Sequence, residues 1–312
     1  MSRVLSALSS SFLASLQKNI ENQLFESHLF GANTKLVSQT PTSSNFPFCN
    51  LKLFTNVLNS DNQLTLRLHR EPSNSIGIFA QLPEVCNHGY NAVDALYVSF
   101  LIANNDADVK IHEVHQTSKL WWKKFINRPL NLHQKIQPKC YEILYDPSPN
   151  MKDETAFVIE KTWMEAVSID ENLTVDLICN IRSTMSCMNT FLHDSVASVD
   201  GYDYLKLHHK LAPIQTSIIV DPNMENDVHK ILDELLTIFQ RENIRFDFSD
   251  CSPVDLICRE NDLKGIPFSI ILCDNTVTDG ILGVRDRNTH FVEPMNFKNV
   301  IQYMKLNLHF QK

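Results

Sequence analysis

Glycine is scarce in this chain: 7 of 312 residues, of which only Gly31, Gly77, Gly89 and Gly201 precede Leu211. Loops that cradle phosphate need several closely spaced glycines, because side chains hold the backbone N–H groups away from the ligand. A P-loop and a dinucleotide fingerprint are therefore excluded, and no Gly-x-Ser-x-Gly elbow for a serine hydrolase is present. The 8 cysteines include no Cys-x-x-Cys pair. Their irregular spacing fits buried reduced thiols in a reducing compartment better than a disulfide frame or a zinc site. Long apolar runs are also missing: the longest, Ala95 to Ala103, falls well short of the roughly 18 residues that a membrane-spanning helix needs.

Acid is missing from two stretches. The first 20 residues carry only Arg3 and Lys18 as charges. This fits a mitochondrial presequence, and equally an amphipathic first helix with Leu5, Leu8, Phe12 and Leu16 inward. Between Val114 and Tyr141 there is no Asp or Glu, while Lys119, Lys123, Lys124, Arg128, Lys135 and Lys139 all fall there. The net charge of the whole is -8, so any contact with nucleic acid has to be local. Trp121 and Trp122, among Lys119, Lys123, Lys124 and Arg128, are the candidate DNA contacts: cations bind phosphate and an aromatic face stacks on a base. The alternative is one core tryptophan beneath a solvated basic face, since neighbours on a helix point about 100° apart. His112 and His115 lie closer in sequence than the usual i, i+4 of helical metal ligands and have no evident third ligand, so a structural role is expected and no cofactor or metal is implied. His208 and His209 read as a hydrogen-bonded or solvated linker pair.

Short apolar runs alternate with turn residues from Leu51 to Phe100, with Leu64, Leu66 and Leu68 on one face, which predicts antiparallel strands. Thr40 to Asn50 and Asp146 to Asp153 read as loops. Glu154 to Met188 has helical spacing around Trp163. From Leu211 onward strands and helices alternate. Gln215 to Asp221 is a strand, and Asp227 to Asn243 a helix with Val228, Ile231, Leu232, Leu235, Leu236 and Phe239 on one stripe. Glu225 and Asp227 suit its first turn and Asn243 its end. Arg245 to Phe248 is a strand, and the helix that follows starts at Ser252-Pro253 and stops at Gly265. Phe268 to Cys273 and Ile281 to Arg285 are strands joined by a turn at Asp279 and Gly280, and Phe297 to Leu308 is a last helix. The pattern is a mixed sheet flanked by helices.

The order strand, hairpin, strand and helix across Gly265 to Met304 resembles the anticodon-binding domain of class II aminoacyl-tRNA synthetases. The segments LHHKLAPIQTSIIVD (Leu207 to Asp221) and KLWWKKFINR (Lys119 to Arg128) are similar to accessory subunits of mitochondrial DNA polymerase gamma, synthetase-like proteins without catalysis. The resemblance implies an α+β / α/β two-domain chain. Residues 1–20 are a presequence or first helix, 21–210 a degenerate class II synthetase-like antiparallel sheet with helices, and 211–312 an anticodon-binding-like domain. The synthetase chemistry is not preserved: a Gly-rich ATP strand cannot be built, and Arg67 to Glu71 (RLHRE) has the wrong spacing for an Arg-x-Glu strand. Cys273 stands where synthetases often have glycine.

The resemblance further implies a non-catalytic processivity subunit in the nucleoid of the mitochondrial matrix. It would bind the polymerase catalytic subunit 1:1 and hold primer-template DNA indirectly or through the local basic patch. The helical insertion that mediates homodimerisation in longer members is not expected in a chain of this length. Asp279, Gly280, Arg285 and Arg287 are the expected interface residues, the two arginines sharing one face of a strand. The alternatives are a class II synthetase-like enzyme and a free-standing tRNA binder.

Overall fold

The computed structural model describes residues 8–26, 35–38, 76–84, 94–103, 107–147, 156–168, 171, 174–199, 201–221, 228–249 and 253–309. Thr40 to Asn50, the leucines at 64, 66 and 68, the RLHRE segment, Leu5, Glu225, Asp227 and Ser252 lie outside them. The described chain divides into two compact units. One is residues 20–190; the other joins Phe191 onward with the residues up to Asn19.

The first helix, α1 (Ser10–Glu26), buries Leu16, Ile20 and Leu24 at a spacing of four, the inward stripe of an amphipathic helix. Asn19 on α1 donates to the carbonyls of Leu211 (3.0 Å) and Ala212 (3.3 Å), which satisfies two peptide groups in an irregular strap.

In the unit of residues 20–190, β1 (Lys35–Ser38), β2 (Ile76–Glu84), β3 (Asp94–Ala103), α2 (Ala107–Phe125), β4 (Leu132–Gln137), β5 (Cys140–Tyr145), β6 (Phe157–Ser168) and β7 (Thr174–Ser183) follow in order. The strands form one sheet in the order β1-β2-β3-β7-β6-β5-β4. Only β1 and β2 run parallel; every other neighbouring pair is antiparallel, as alternation between Leu51 and Phe100 suggested for its part. The helical spacing read around Trp163 is corrected: residues 157–168 and 174–183 are strands. Pairing between β5 and β6 jumps from Ile143↔Glu160 to Leu144↔Val158, bulging the strand at Ile159. Glu160, Met164 and Val167 are consequently all buried, at spacings that mimic a helix.

In the other unit, α3 (Thr184–Ser195) leads into a hairpin of β8 (Val196–Val199) and β9 (Tyr202–Leu205). Then come β10 (Thr216–Val220), α4 (Val228–Arg241), β11 (Phe246–Ser249), α5 (Val254–Leu263), β12 (Phe268–Leu272), α6 (Asp274–Asp279), β13 (Ile281–Asp286), β14 (Val292–Asn296) and α7 (Phe297–His309). The sheet order is β11-β10-β12-β13-β14, parallel across the first three strands and antiparallel at β13 and β14. Val228, Leu232, Leu235 and Phe239 of α4 and Val300, Met304 and Leu308 of α7 close one face over Ile218, Ile270, Leu282 and Val284. Ile257 and Cys258 of α5 cover Ile219 on the other. Burying each such side chain contributes about 1.5–3 kcal/mol.

The helix ends obey local chemistry. Asn243 after α4 and Gly265 after α5 sit at φ 55 and 69, the left-handed region that stops a helix. The compact unit begins before the expected join at Leu211, because β9 and the strap that follows it are hydrogen-bonded into it. Arg245 alone donates to the carbonyls of Lys210, Ala212 and Pro213.

Candidate functional site

Helix α2 positions the tryptophan pair, and its buried stripe of Ile111, Val114, Ser118, Trp121, Trp122 and Phe125 faces the sheet. Trp122 is fully buried and donates its indole N–H to Glu160 Oε2 at 2.7 Å. Arg182 Nε lies 2.8 Å from the same oxygen, Arg182 Nη2 donates to Ser118 Oγ at 2.9 Å, and Asn180 donates to Glu160 Oε1 at 2.5 Å and to Thr162 at 2.8 Å. Trp121 is 8% exposed, with the Arg182 guanidinium 4.8 Å from its ring. The expectation that these indoles stack on bases is therefore corrected: their faces are used inside the unit. A buried carboxylate is tolerated because an indole and an amide donate to it and an arginine pairs with its charge. The basic positions fare differently. Lys123, Lys124 and Arg128 are exposed and Lys119 is half-buried.

His115, on the same helix, is buried. Its Nε2 lies 3.2 Å from Gln134 Oε1, its ring stacks on Tyr141 at 4.7 Å, and burial lowers its pKa below the usual histidine value. His112 is exposed, edge-on to Tyr141. Among the described residues no group of three or more His, Cys, Asp or Glu could hold a metal ion, and no helix is long and apolar enough to cross a membrane.

In the other unit, Asp279 and Gly280 end a short helix, α6, that links β12 to β13, where the sequence suggested only a turn. Gly280 takes φ 67 and its N–H returns to the Asn275 carbonyl, a glycine stop with open space around it. Asp279 and the neighbouring Ile281 are exposed.

The two arginines of the expected interface point inward, which corrects that part of the expectation. Arg285 Nη1 and Nη2 reach Asp262 Oδ1 and Oδ2 at 2.8 and 2.7 Å; Asp262 has no exposed surface and also accepts from Tyr202 Oη at 2.7 Å. The fork-on-fork pair ties β13, α5 and β9 together. Burial and the hydrogen bond to Asp262 push the Tyr202 hydroxyl well above the usual tyrosine range. Arg287 donates to the carbonyls of Gly265 (2.6 Å) and Leu207 (3.1 Å), and burial brings its pKa down to about 10. These side chains hold the end of the sheet to the incoming strap.

What the sheet does expose was not apparent in the sequence. Strand β14 is an edge strand with Val292, Glu293, Pro294 and Asn296 in solvent. Val292 pairs with Arg285 and packs over Gly283, on the face opposite the α4–α7 core. Phe291, before it, is 70% exposed. Between β14 and α7 lies an open groove of about 360 Å³ lined by Glu293, Asn296, Asn299, Gln302, Tyr303 and Leu306. Burial and the Asp286 and Glu293 carboxylates raise the Tyr303 pKa.

Residues 214–307 match the family described as anticodon binding domain, the class that the mixed sheet and its flanking helices had suggested. A curated relative gives the second half of the resemblance. The chain is 21% identical over 240 residues to "DNA polymerase subunit gamma-2, mitochondrial" of Drosophila melanogaster, a match covering 67% of this chain and 65% of that one. The match thus spans slightly less than two thirds of that relative. The chain is similar to a mitochondrial polymerase subunit and carries a synthetase-type anticodon-binding domain.

Proposed function

We propose that the chain is a non-catalytic accessory subunit of a mitochondrial DNA-directed DNA polymerase. It binds the catalytic subunit 1:1, resides with it in the matrix nucleoid, and raises its hold on primer-template DNA. The observation that carries this reading is the similarity to a polymerase subunit over two thirds of the chain, beside the anticodon-binding match at residues 214–307. The first unit accords with it, as a largely antiparallel sheet whose polar side chains Glu160, Thr162, Asn180 and Arg182 bond to one another and to α2.

The mechanism is thermodynamic. Contacts added to the catalytic subunit lengthen the life of its complex with DNA, because affinity differences lie mostly in off-rates. Asp279 and Gly280 remain in the proposed interface. Arg285 and Arg287 are replaced in it by the exposed apolar side chains Val277, Ile281 and Val292. DNA is held indirectly, through the catalytic subunit.

The test is direct mixing of purified chain and catalytic subunit, followed by primer extension on a long template. A complex at micromolar concentration with longer products is expected; failure to associate refutes the reading. The anticodon-binding match favours one rival, a tRNA binder, which would bind tRNA tightly with a steep dependence on salt.

A further inference from the structure

The C-terminal part of α2, the turn that follows it and strand β4 each carry one large aliphatic side chain out into solvent. Leu120 is 67% exposed, Leu130 89%, and Ile136, further along edge strand β4, 62%. Leu120 lies one helical turn from exposed Lys123 and Lys124, and exposed Arg128 precedes Leu130. The hydrogen bond from His115 to Gln134 and the stacking of His115 on Tyr141 keep α2 alongside β4 and β5, so these residues share one side of the unit. No Asp or Glu interrupts the sequence from Val114 to Tyr141.

Lysines in the last turn of a helix complement its dipole, which accounts for Lys123 and Lys124 on structural grounds alone. That does not account for leucines at 67% and 89% exposure beside them. Nucleic acid is a poor match: both indoles are buried, so single-stranded bases find no stacking platform, and the exposed leucines add nothing to the phosphate contacts that hold a duplex. Strand addition to the β4 edge is also disfavoured, since Lys135 sits on that edge, the usual guard against pairing with another chain. Apolar anchors beside a local excess of positive charge, with Glu113 two turns back on α2 and Glu142 paired with Lys135, fit a protein segment of net negative charge.

We propose that this surface, centred on Leu120, Lys123, Lys124 and Leu130, docks an acidic protein segment bearing aliphatic side chains. The proposal rests on the accessory-subunit reading and places that segment on the catalytic subunit, as a second contact apart from the anticodon-binding-like domain. The aliphatic side chains anchor the segment; the lysines speed its arrival.

The experiment measures association and dissociation rates of the full chain with the catalytic subunit at low and high salt. Lys123→Glu/Lys124→Glu is expected to slow association about tenfold at low salt, the difference shrinking at high salt. Leu120→Ser/Leu130→Ser is expected to speed dissociation about tenfold. Should the leucine pair perturb folding by circular dichroism, Leu130→Ser alone, at a nearly fully exposed position, serves in its place. If the wild-type complex forms and neither variant changes its rates by more than about twofold, the surface proposal falls and the accessory reading stands. Absence of any wild-type complex removes both. Binding of duplex DNA by the isolated chain is the remaining arm: loss of it in the lysine variant, with unchanged polymerase affinity, makes this a nucleic-acid surface and overturns the proposal.

Discussion

Replacing Arg285 by alanine separates an internal brace from a docking residue. In the structure Arg285 is 9% exposed and Asp262 fully buried, joined by two bonds of 2.8 and 2.7 Å. Removing the guanidinium leaves a carboxylate out of water with only the Tyr202 hydroxyl donating to it and the His290 Nε2 at 3.8 Å. Stranding one partner of such a pair costs about 3–5 kcal/mol. At roughly 2–4 °C of melting temperature per kcal/mol for a unit of this size, the drop is on the order of 10 °C. Urea unfolding and thermal melts read it. Arg285→Met with Asp262→Leu removes both charges and is expected to regain much of the loss, because an apolar pair of similar volume has no desolvation penalty. Arg285→Ala with stability within about 0.5 kcal/mol of wild type and weakened binding to the catalytic subunit would refute the internal role and restore the arginine to the interface.

Three further outcomes follow from the same contacts. Trp122→Phe removes the indole donor to Glu160, a hydrogen bond to a charged group, and is expected to cost about 2 kcal/mol in urea unfolding with any DNA affinity unchanged; lost DNA affinity at intact stability would show base stacking instead. Gly265→Ala should cost about 1–3 kcal/mol, because φ 69 is combined with a Cβ 3.1 Å from Leu207 Cδ1. Gly280→Ala, at φ 67 with nothing nearer than 3.9 Å, should cost only the backbone part, about 1–2 kcal/mol, so equal melting temperatures for the two variants would contradict the packing. For His115, burial lowers the folded-state pKa below 6.5, so as pH falls the unfolded chain takes up the proton first and stability declines below that point. The Glu160 carboxylate opposes this shift, and His112 and Lys119 reinforce it. His115→Gln should therefore lose less stability than wild type between about pH 7 and pH 5; an equal loss would mean that this ring takes up its proton over the same pH range folded and unfolded.

The fold of the anticodon-binding-like unit was legible because its elements follow local rules. The α4 stripe, the αL stops at Asn243 and Gly265, and the apolar runs of β10 and β12 are each written in adjacent residues. Strand β14 was not, because an edge strand in solvent has no apolar alternation to read and carries a proline. Pro294 pairs with Gly283 between the hydrogen-bonded pairs that run on from Asp286 with Phe291, so its missing N–H faces the open edge and costs no ladder bond. Around Trp163 the failure had another cause: a bulge at Ile159 and buried polar side chains erased the two-residue period.

The candidate site was harder to read, since composition locates charges along the chain and does not say which charges face each other. Yet one sign was available. Asp262 falls on the α5 stripe with Ile257, Cys258 and Asn261, all buried. A carboxylate on an apolar stripe requires a cation brought to it from elsewhere in the fold. Arg259 and Lys264 are nearer in sequence, but the cation that meets it is Arg285 on β13, and the alternation that placed Arg285 and Arg287 on one face also set them on the side that α5 covers. Glu160 poses the same requirement in the other unit, and Arg182, its direct cross-strand partner, meets it. Two arginines and two tryptophans were thus assigned to partners outside the chain, while buried acids within it had prior need of Arg285 and Trp122, and Arg287 and Trp121 are taken up by backbone carbonyls and by the Arg182 guanidinium. What lies exposed for an external partner is Asp279 and Ile281 at one place, and the lysines and leucines around the end of α2 at another.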